Sequence, residues 1–164
     1  FDLAAESEWE KAARGGHLIP RWPVIHSVQQ GFLCDGVDQF DNPVPTRTYP
    51  WGDSFDGIPA NVDQALLGTT SGVGVFGSVP SVYGNQDLAG NVWEWTRSHA
   101  HKYPLQPAGT RPRAYSLDAY VTRGGSYSEP LTSARCAHRE WVGPGNAGRV
   151  LGFRLAVVLD PGDQ

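Results

Sequence analysis

The phrase Gly90-Asn91-Val92-Trp93-Glu94-Trp95 sets a carboxylate between two indoles, directly after a Gly-Asn pair of the kind that makes a turn. On an extended segment successive side chains point to opposite faces. Trp93 and Trp95 therefore share one face and Glu94 takes the other. Two buried indoles are a large apolar commitment, and a carboxylate held between them is not a solubilising surface charge. Asp87, Asn91 and Glu94 together make an oxygen-rich turn. A hard cation such as calcium collects about six to eight oxygens from carboxylates and backbone carbonyls on turns of this kind. The alternative is that Glu94 and Asn91 satisfy turn amides and an arginine. Either role stabilises a scaffold and performs no chemistry.

Other groups capable of chemistry are sparse. His99-Ala100-His101 would point both imidazoles to one face of a strand, but it lies in a loop with no third ligand motif nearby. His138 is single and reads as a surface or packed imidazole. The two cysteines, Cys34 and Cys136, lie far apart and do not make a disulfide framework; buried free thiols are the plainer reading. There is no Ser/His/Asp nucleophile pattern and no phosphate-binding glycine loop.

The elements that must position these groups follow from periodicity. Residues 6–14 form a helix, with Trp9, Ala12 and Ala13 at helical spacing and charges opposite; Gly15-Gly16 ends it. Residues 17–48 show no sustained period, and prolines at 20, 23, 43 and 45 interrupt Trp22, Val24, Ile25, Phe32, Leu33 and Phe40. They read as an insertion ordered by burial of its aromatics. From Tyr49 onward the chain is short strands and turns, with strands expected at 92–96 and 120–123. A further strand is expected at 149–159, buried in a central position.

With 164 residues, the chain has the length of one domain with a real core. Its 20 glycines and 13 prolines suit many loops and little helix. A formal net charge of −4, with arginines scattered along the chain, offers nothing to a nucleic acid. No apolar run is long enough to span a membrane. Phe1 begins in mid-phrase, so the chain reads as the later part of a longer polypeptide, and an N-terminal remainder is an expected partner.

Five phrases in order carry a resemblance: Ser7-Glu8-Trp9-Glu10-Lys11-Ala12-Ala13-Arg14-Gly15-Gly16, Tyr49-Pro50-Trp51-Gly52-Asp53, Gly90 to Trp95, Arg123-Gly124-Gly125-Ser126-Tyr127 and Gly152-Phe153-Arg154-Leu155-Ala156. Together they resemble the formylglycine-generating-enzyme-like family, a branch of the C-type lectin fold. The resemblance implies an α+β domain over residues 1–159, loop-rich, with short antiparallel strands and few helices, then a tail at 160–164. It also implies that several dozen residues precede Leu3. In the family the helix is usually preceded by Leu-Pro-Thr with Thr as its N-cap. Here that run is Leu3-Ala4-Ala5, so the capping hydroxyl is gone, a loss of about 0.5–2 kcal/mol unless another group substitutes.

For metals, the resemblance implies structural calcium on the side chains of Asp87 and Glu94 and the carbonyls of Gly90 and Val92. A second family calcium site would begin at Ala60-Asn61-Val62, but no Asp or Glu stands between Asp63 and Asp87 to supply its distal carboxylate, which leaves Asp63 as the candidate replacement. The formylglycine-generating members carry two copper-binding cysteines about five residues apart after the Arg-Gly-Gly-Ser phrase. The corresponding run here, Ser128 to Ala134, has none, and a thiol mechanism cannot run without the thiolate. The family's iron-dependent sulfoxide synthases take histidine ligands from a separate helical domain that this chain lacks. Neither copper nor iron is expected, and the chain is expected to be no enzyme.

Residues 123–154 resemble instead the variable region of proteins diversified by retroelements, where adenine-directed mutagenesis rewrites an exposed C-terminal patch. The implied patch includes Thr132, Ser133, His138, Val142, Gly143, Gly145, Asn146, Ala147, Gly148 and Arg149. All are residue types reachable from an Asn codon ending in a pyrimidine. Glu129, Glu140 and Trp141 are not reachable that way, so they are either fixed by the template or contradict diversification. Glu140 and Trp141 still belong to the candidate surface, with Trp141 its first anchor: an aromatic among adaptable polar groups is how a paratope is composed. The expected function is ligand binding, with a protein or cell-surface partner. The alternatives are a fragment of an iron-dependent family enzyme, or a non-catalytic module of a signalling protein.

Overall fold

A computed structural model describes residues 1–22, 37–54, 56–77, 80–101 and 119–157. The elements in chain order are β1 (Asp2–Leu3), α1 (Glu6–Arg14), β2 (Leu18–Pro20), β3 (Gln39–Asp41), β4 (Trp93–His99), β5 (Tyr120–Arg123), β6 (Arg139–Val142), β7 (Leu151–Phe153) and β8 (Leu155–Ala156). Short 3₁₀ turns occupy Asp63–Ala65 and Leu131–Ala134.

The helix forms where its spacing predicts, and its missing N-cap hydroxyl is replaced from two directions. Ser98 Oγ accepts the Glu6 N–H at 2.9 Å, and Glu8 reaches back to the Ala5 N–H at 2.7 Å. That bond first, and Arg97 beside it, hold the Glu8 carboxyl below its ordinary range. At the other end the Gly15 N–H bonds to the Lys11 carbonyl, and Gly15 takes a φ of +87°. Trp9 and Ala13 are buried with Ala4, Leu88 and Cys136 in one apolar cluster. Beside it, Ala60, Val62, Ala89 and Ala134 form a second.

Four strands make the main sheet in the order β6-β5-β4-β7. The β4–β5 and β5–β6 pairs are antiparallel, and β7 runs parallel to β4. A separate two-stranded ribbon joins β1 to β8, with Leu3 opposite Leu155. Directly paired residues share a face. Glu94, Arg123 and Arg139 thus line up on one face, and Trp95, Thr122 and Glu140 on the other. Helix α1 covers the first.

Two expectations need correction. The run from 149 to 159 is not one central strand. It breaks at Arg154 into β7, at the edge of the main sheet, and β8, in the ribbon; Phe153 and Leu155 are 64% and 61% exposed. Arg154 stands at the break and pairs with Glu94. Residues 158–164 lie outside the described residues. The insertion at 17–48 contributes the β2–β3 ribbon, but Trp22 (76% exposed) and Phe40 (38%) are not buried by it. Arg21 instead lies over the Phe40 ring and pairs with Asp38. Val24, Ile25, Phe32, Leu33 and Cys34 fall outside the described residues.

Candidate functional site

Glu94 sits at the centre of the α1 face, 6% exposed. Its Oε2 accepts the indole N–H of Trp9 at 2.6 Å and the Arg154 Nε–H at 2.7 Å; its Oε1 accepts Arg154 Nη2–H at 2.7 Å. The same Nη2 donates to the carbonyls of Gln86 (3.0 Å) and Asp87 (3.1 Å). Burial works against the charge on Arg154, but the hydrogen bonds and charge of Glu94 outweigh it and raise the guanidinium above its ordinary pKa. A planar fork on a carboxylate is the strong form of this contact.

The turn before Glu94 is a junction of three segments. The Gly90 N–H bonds to the Gly124 carbonyl at 2.8 Å and the Asn91 N–H to the Asn61 carbonyl at 2.7 Å. Asn91 Oδ1 accepts the Ser71 N–H, and Asp87 Oδ2 the Gly74 N–H at 2.6 Å. Asp87, Gly90 and Asn91 all have positive φ. A Cβ on Gly90 would stand 2.2 Å from the Asn61 carbonyl oxygen, so only glycine fits.

This arrangement does not fit calcium on Asp87, Gly90, Val92 and Glu94. Both Glu94 oxygens and Asp87 Oδ2 accept N–H donors, and a guanidinium stands where a cation would draw on Glu94. The reading in which Glu94 and Asn91 satisfy an arginine and turn amides is the one the geometry matches. Among the described residues no cluster of three or more His, Cys, Asp or Glu is placed to hold a metal ion. His101 Nδ1 contacts the His99 carbonyl at 2.7 Å, and His99 stacks on Tyr120 at 4.5 Å; the two imidazoles do not converge.

On the opposite face, Trp93 is buried and Trp95 half-buried, so the core is built on Trp93 but only partly on Trp95. Trp93 packs against the His138 ring at 5.6 Å and donates its indole N–H to Glu129 at 2.9 Å. That contact gives Glu129 a structural role. Trp95 meets Tyr120 edge to face at 6.4 Å. Strand β6 lies at one edge of the sheet and β7 at the other, both parallel to β4, so residues 143–150 must cross the sheet. Pro144 marks the crossing: with Leu3, Trp95, Thr96, Arg97 and Tyr120 it lines an open groove of about 330 Å³.

The candidate surface residues are brought together in part. Gly145, Asn146, Ala147, Gly148 and Arg149 are all exposed, as are Thr132 and Glu140; Ser133, His138, Val142 and Gly143 are half-buried. His138 and Glu140 face each other at 3.6 Å. Trp141 is the exception. It pairs with Val121, one residue from the Thr122–Glu140 pair, and so projects on the α1 side of the sheet edge, 38% exposed. Period-2 alternation separates it from Glu140 and Val142, so it lies on the other face from them.

Behind β6 lies a buried charge network. Arg123 is fully buried, pairs with Glu10, faces Glu6 at 3.8 Å and donates to the His138 carbonyl at 2.5 Å. Arg139 pairs with Glu6 at 2.6 Å. Glu6 is 5% exposed, so the charges of α1 are not confined to its outer side. Cys136 is fully buried, and burial pushes its thiol up to about 12. It is a core residue and no nucleophile.

A family model described as the sulfatase-modifying factor enzyme 1-like domain, FGE-sulfatase, matches residues 1–159. The chain belongs to this family. The FGE-sulfatase chain is 31% identical over 168 residues to the inactive C-alpha-formylglycine-generating enzyme 2 of Mus musculus, covering 94% of this chain and 42% of that protein. It is 30% identical over 162 residues to the serine/threonine-protein kinase pkn1 of Chlamydia pneumoniae, covering 94% of this chain and 20% of the kinase. Its fold is that of Treponema denticola variable protein 1: TM-score 0.59, 24% identity, 92% of this chain and 45% of that one covered. The chain thus spans less than half the length of each of these proteins. The α+β fold and the family are those the five phrases imply, and the family holds both enzymes and inactive members.

Sequence reasoning missed Arg154 as the partner of Glu94. A signal existed: one arginine in an otherwise apolar run from Val150 to Leu159. It also missed Glu6 and Glu10 as partners of buried arginines, because no local pattern announces contacts more than a hundred residues away.

Proposed function

We propose that this chain is a non-enzymatic ligand-binding domain that presents residues 132–149 to a protein or cell-surface ligand, similar in kind to a retroelement-diversified variable protein. The observation that carries the reading is the division of exposure within one segment. Arg123, Ser126, Ala134 and Cys136 are fully buried, while Gly145 through Arg149 are all exposed. A segment built this way can change its outer residues without disturbing its frame. His138, Glu140, Val142 and the crossing loop supply an imidazole, a carboxylate, an apolar contact and adaptable polar groups on one side of the sheet. Glycines ease close approach, and the loop loses entropy on binding.

The absence of cysteine from Ser128 to Ala134 supports recognition over thiol chemistry, as does the inert Cys136 thiol. The likeness to a kinase favours a second reading, a non-catalytic module within a signalling polypeptide. Metal analysis of the full-length polypeptide tests both against an enzyme. No stoichiometric copper or iron is expected; a stoichiometric amount of either, lost with substitutions in this domain, overturns the proposal.

A further inference from the structure

We propose that Arg154 is the built-in counter-cation of Glu94, and that the fold draws nothing from calcium at Asp87, Gly90, Val92 and Glu94. Glu94 lies between Trp9 and Arg154 with hydrogen bonds on both oxygens. The guanidinium bridges that carboxylate to the Gln86 and Asp87 carbonyls, at the segment from which a bound ion would take its oxygens. The Asp87 carboxylate accepts the Gly74 N–H through Oδ2 at 2.6 Å. One buried carboxylate is neutralised by one guanidinium. A divalent ion at the same oxygens would stand a few ångströms from Arg154 and be repelled by it.

Arg154 is held for this task by the chain path. It occupies the break between β7 and β8, and its fork takes acceptors from two segments, so withdrawing it breaks several charge-assisted bonds at once. An ammonium could not make the same bidentate contact.

Thermal unfolding of the whole chain in millimolar EGTA and in millimolar calcium chloride tests the calcium statement. The expected difference in Tm is below about 1 °C. A rise of about 5 °C or more with calcium overturns it, since saturating a site of ordinary affinity shifts a domain of this size by that much. Terbium is a second probe, sensitised by Trp93 and Trp95. No saturable luminescence is expected, and a one-to-one signal displaced by calcium overturns the proposal. The counter-cation role is read from Glu94→Gln, Arg154→Met and the double variant. The double variant should be more stable than the summed losses of the singles allow. A folded double beside an unfolded single is the extreme form of that result, and additive losses overturn it.

Discussion

Trp9 and Glu94 lie 85 residues apart, and the indole N–H of one meets the carboxylate of the other at 2.6 Å. The contact fixes the helix to the central strand and is completed by Arg154 from the far end of the chain. Three of the family phrases therefore meet at one buried carboxylate.

Replacing Trp9 by Phe keeps most of the apolar volume but removes the donor. The Glu94 oxygen is then left with Arg154 alone, at a cost of about 1.5–3 kcal/mol. Urea unfolding of Trp9→Phe should show this as a lower midpoint with an unchanged slope.

Gly90→Ala should be more damaging, because two penalties coincide. The φ of +75° is unfavourable for alanine, and its Cβ would meet the Asn61 carbonyl oxygen at 2.2 Å. The expected loss is about 3 kcal/mol or more. Gly145→Ala, with open space around the added carbon, serves as the control and should be near neutral.

Cys136 gives a pH prediction. Its thiol has a folded pKa pushed up to about 12 by burial, against an ordinary value of 9.0. Between those values the unfolded state has released the proton and the folded state has not, so stability falls as pH rises. The slope is about 1.4 kcal/mol per pH unit and is absent below about pH 8. Comparing chemical denaturation of wild type and Cys136→Ala from pH 8 to 11, in about unit steps, isolates it. Wild type should lose the extra slope when the thiol is removed. In the native state Cys136 should resist thiol reagents, because only the thiolate attacks and it is neither formed nor exposed.

Substitutions on the proposed surface should leave the fold intact. Among the described residues, Asn146→Ser, Arg149→Ser and Thr132→Ala remove no side-chain hydrogen bond to the buried frame, and each should change stability by no more than about 0.5 kcal/mol. Arg123→Ala should cost about 3–5 kcal/mol, since it empties a fully buried guanidinium site and leaves Glu10 with Arg14 and Glu6 with Arg139 as their remaining partners. Thermal melts of the four variants separate surface from frame.

Much of this was legible in the residues. The alternation of Trp93, Glu94 and Trp95 gives their faces correctly, and the spacing of Trp9, Ala12 and Ala13 gives the helix. What was not legible depends on where strands break and which side of an edge they show. The apolar run after Val150 reads as a central strand until β7 is seen at the edge of the main sheet and β8 paired with β1. Trp141 reads as the first anchor of the patch, but its pairing with Val121 places it on the other face from Glu140 and Val142. A local pattern carries no information about a partner a hundred residues away, which is why Ser98 in place of the missing helix cap, and Glu6 beneath Arg139, appear only in three dimensions.

The central claim is that residues 132–149 form a diversified recognition surface, and the DNA around the gene tests it most directly. The account predicts a near-copy of the coding segment for residues 123–154 beside a reverse-transcriptase gene. The copy should differ mainly at adenines, in the codons for Thr132, Ser133, His138, Val142, Gly143 and Gly145 through Arg149, and match at Glu129, Glu140 and Trp141. A complete source genome without such a copy would contradict it.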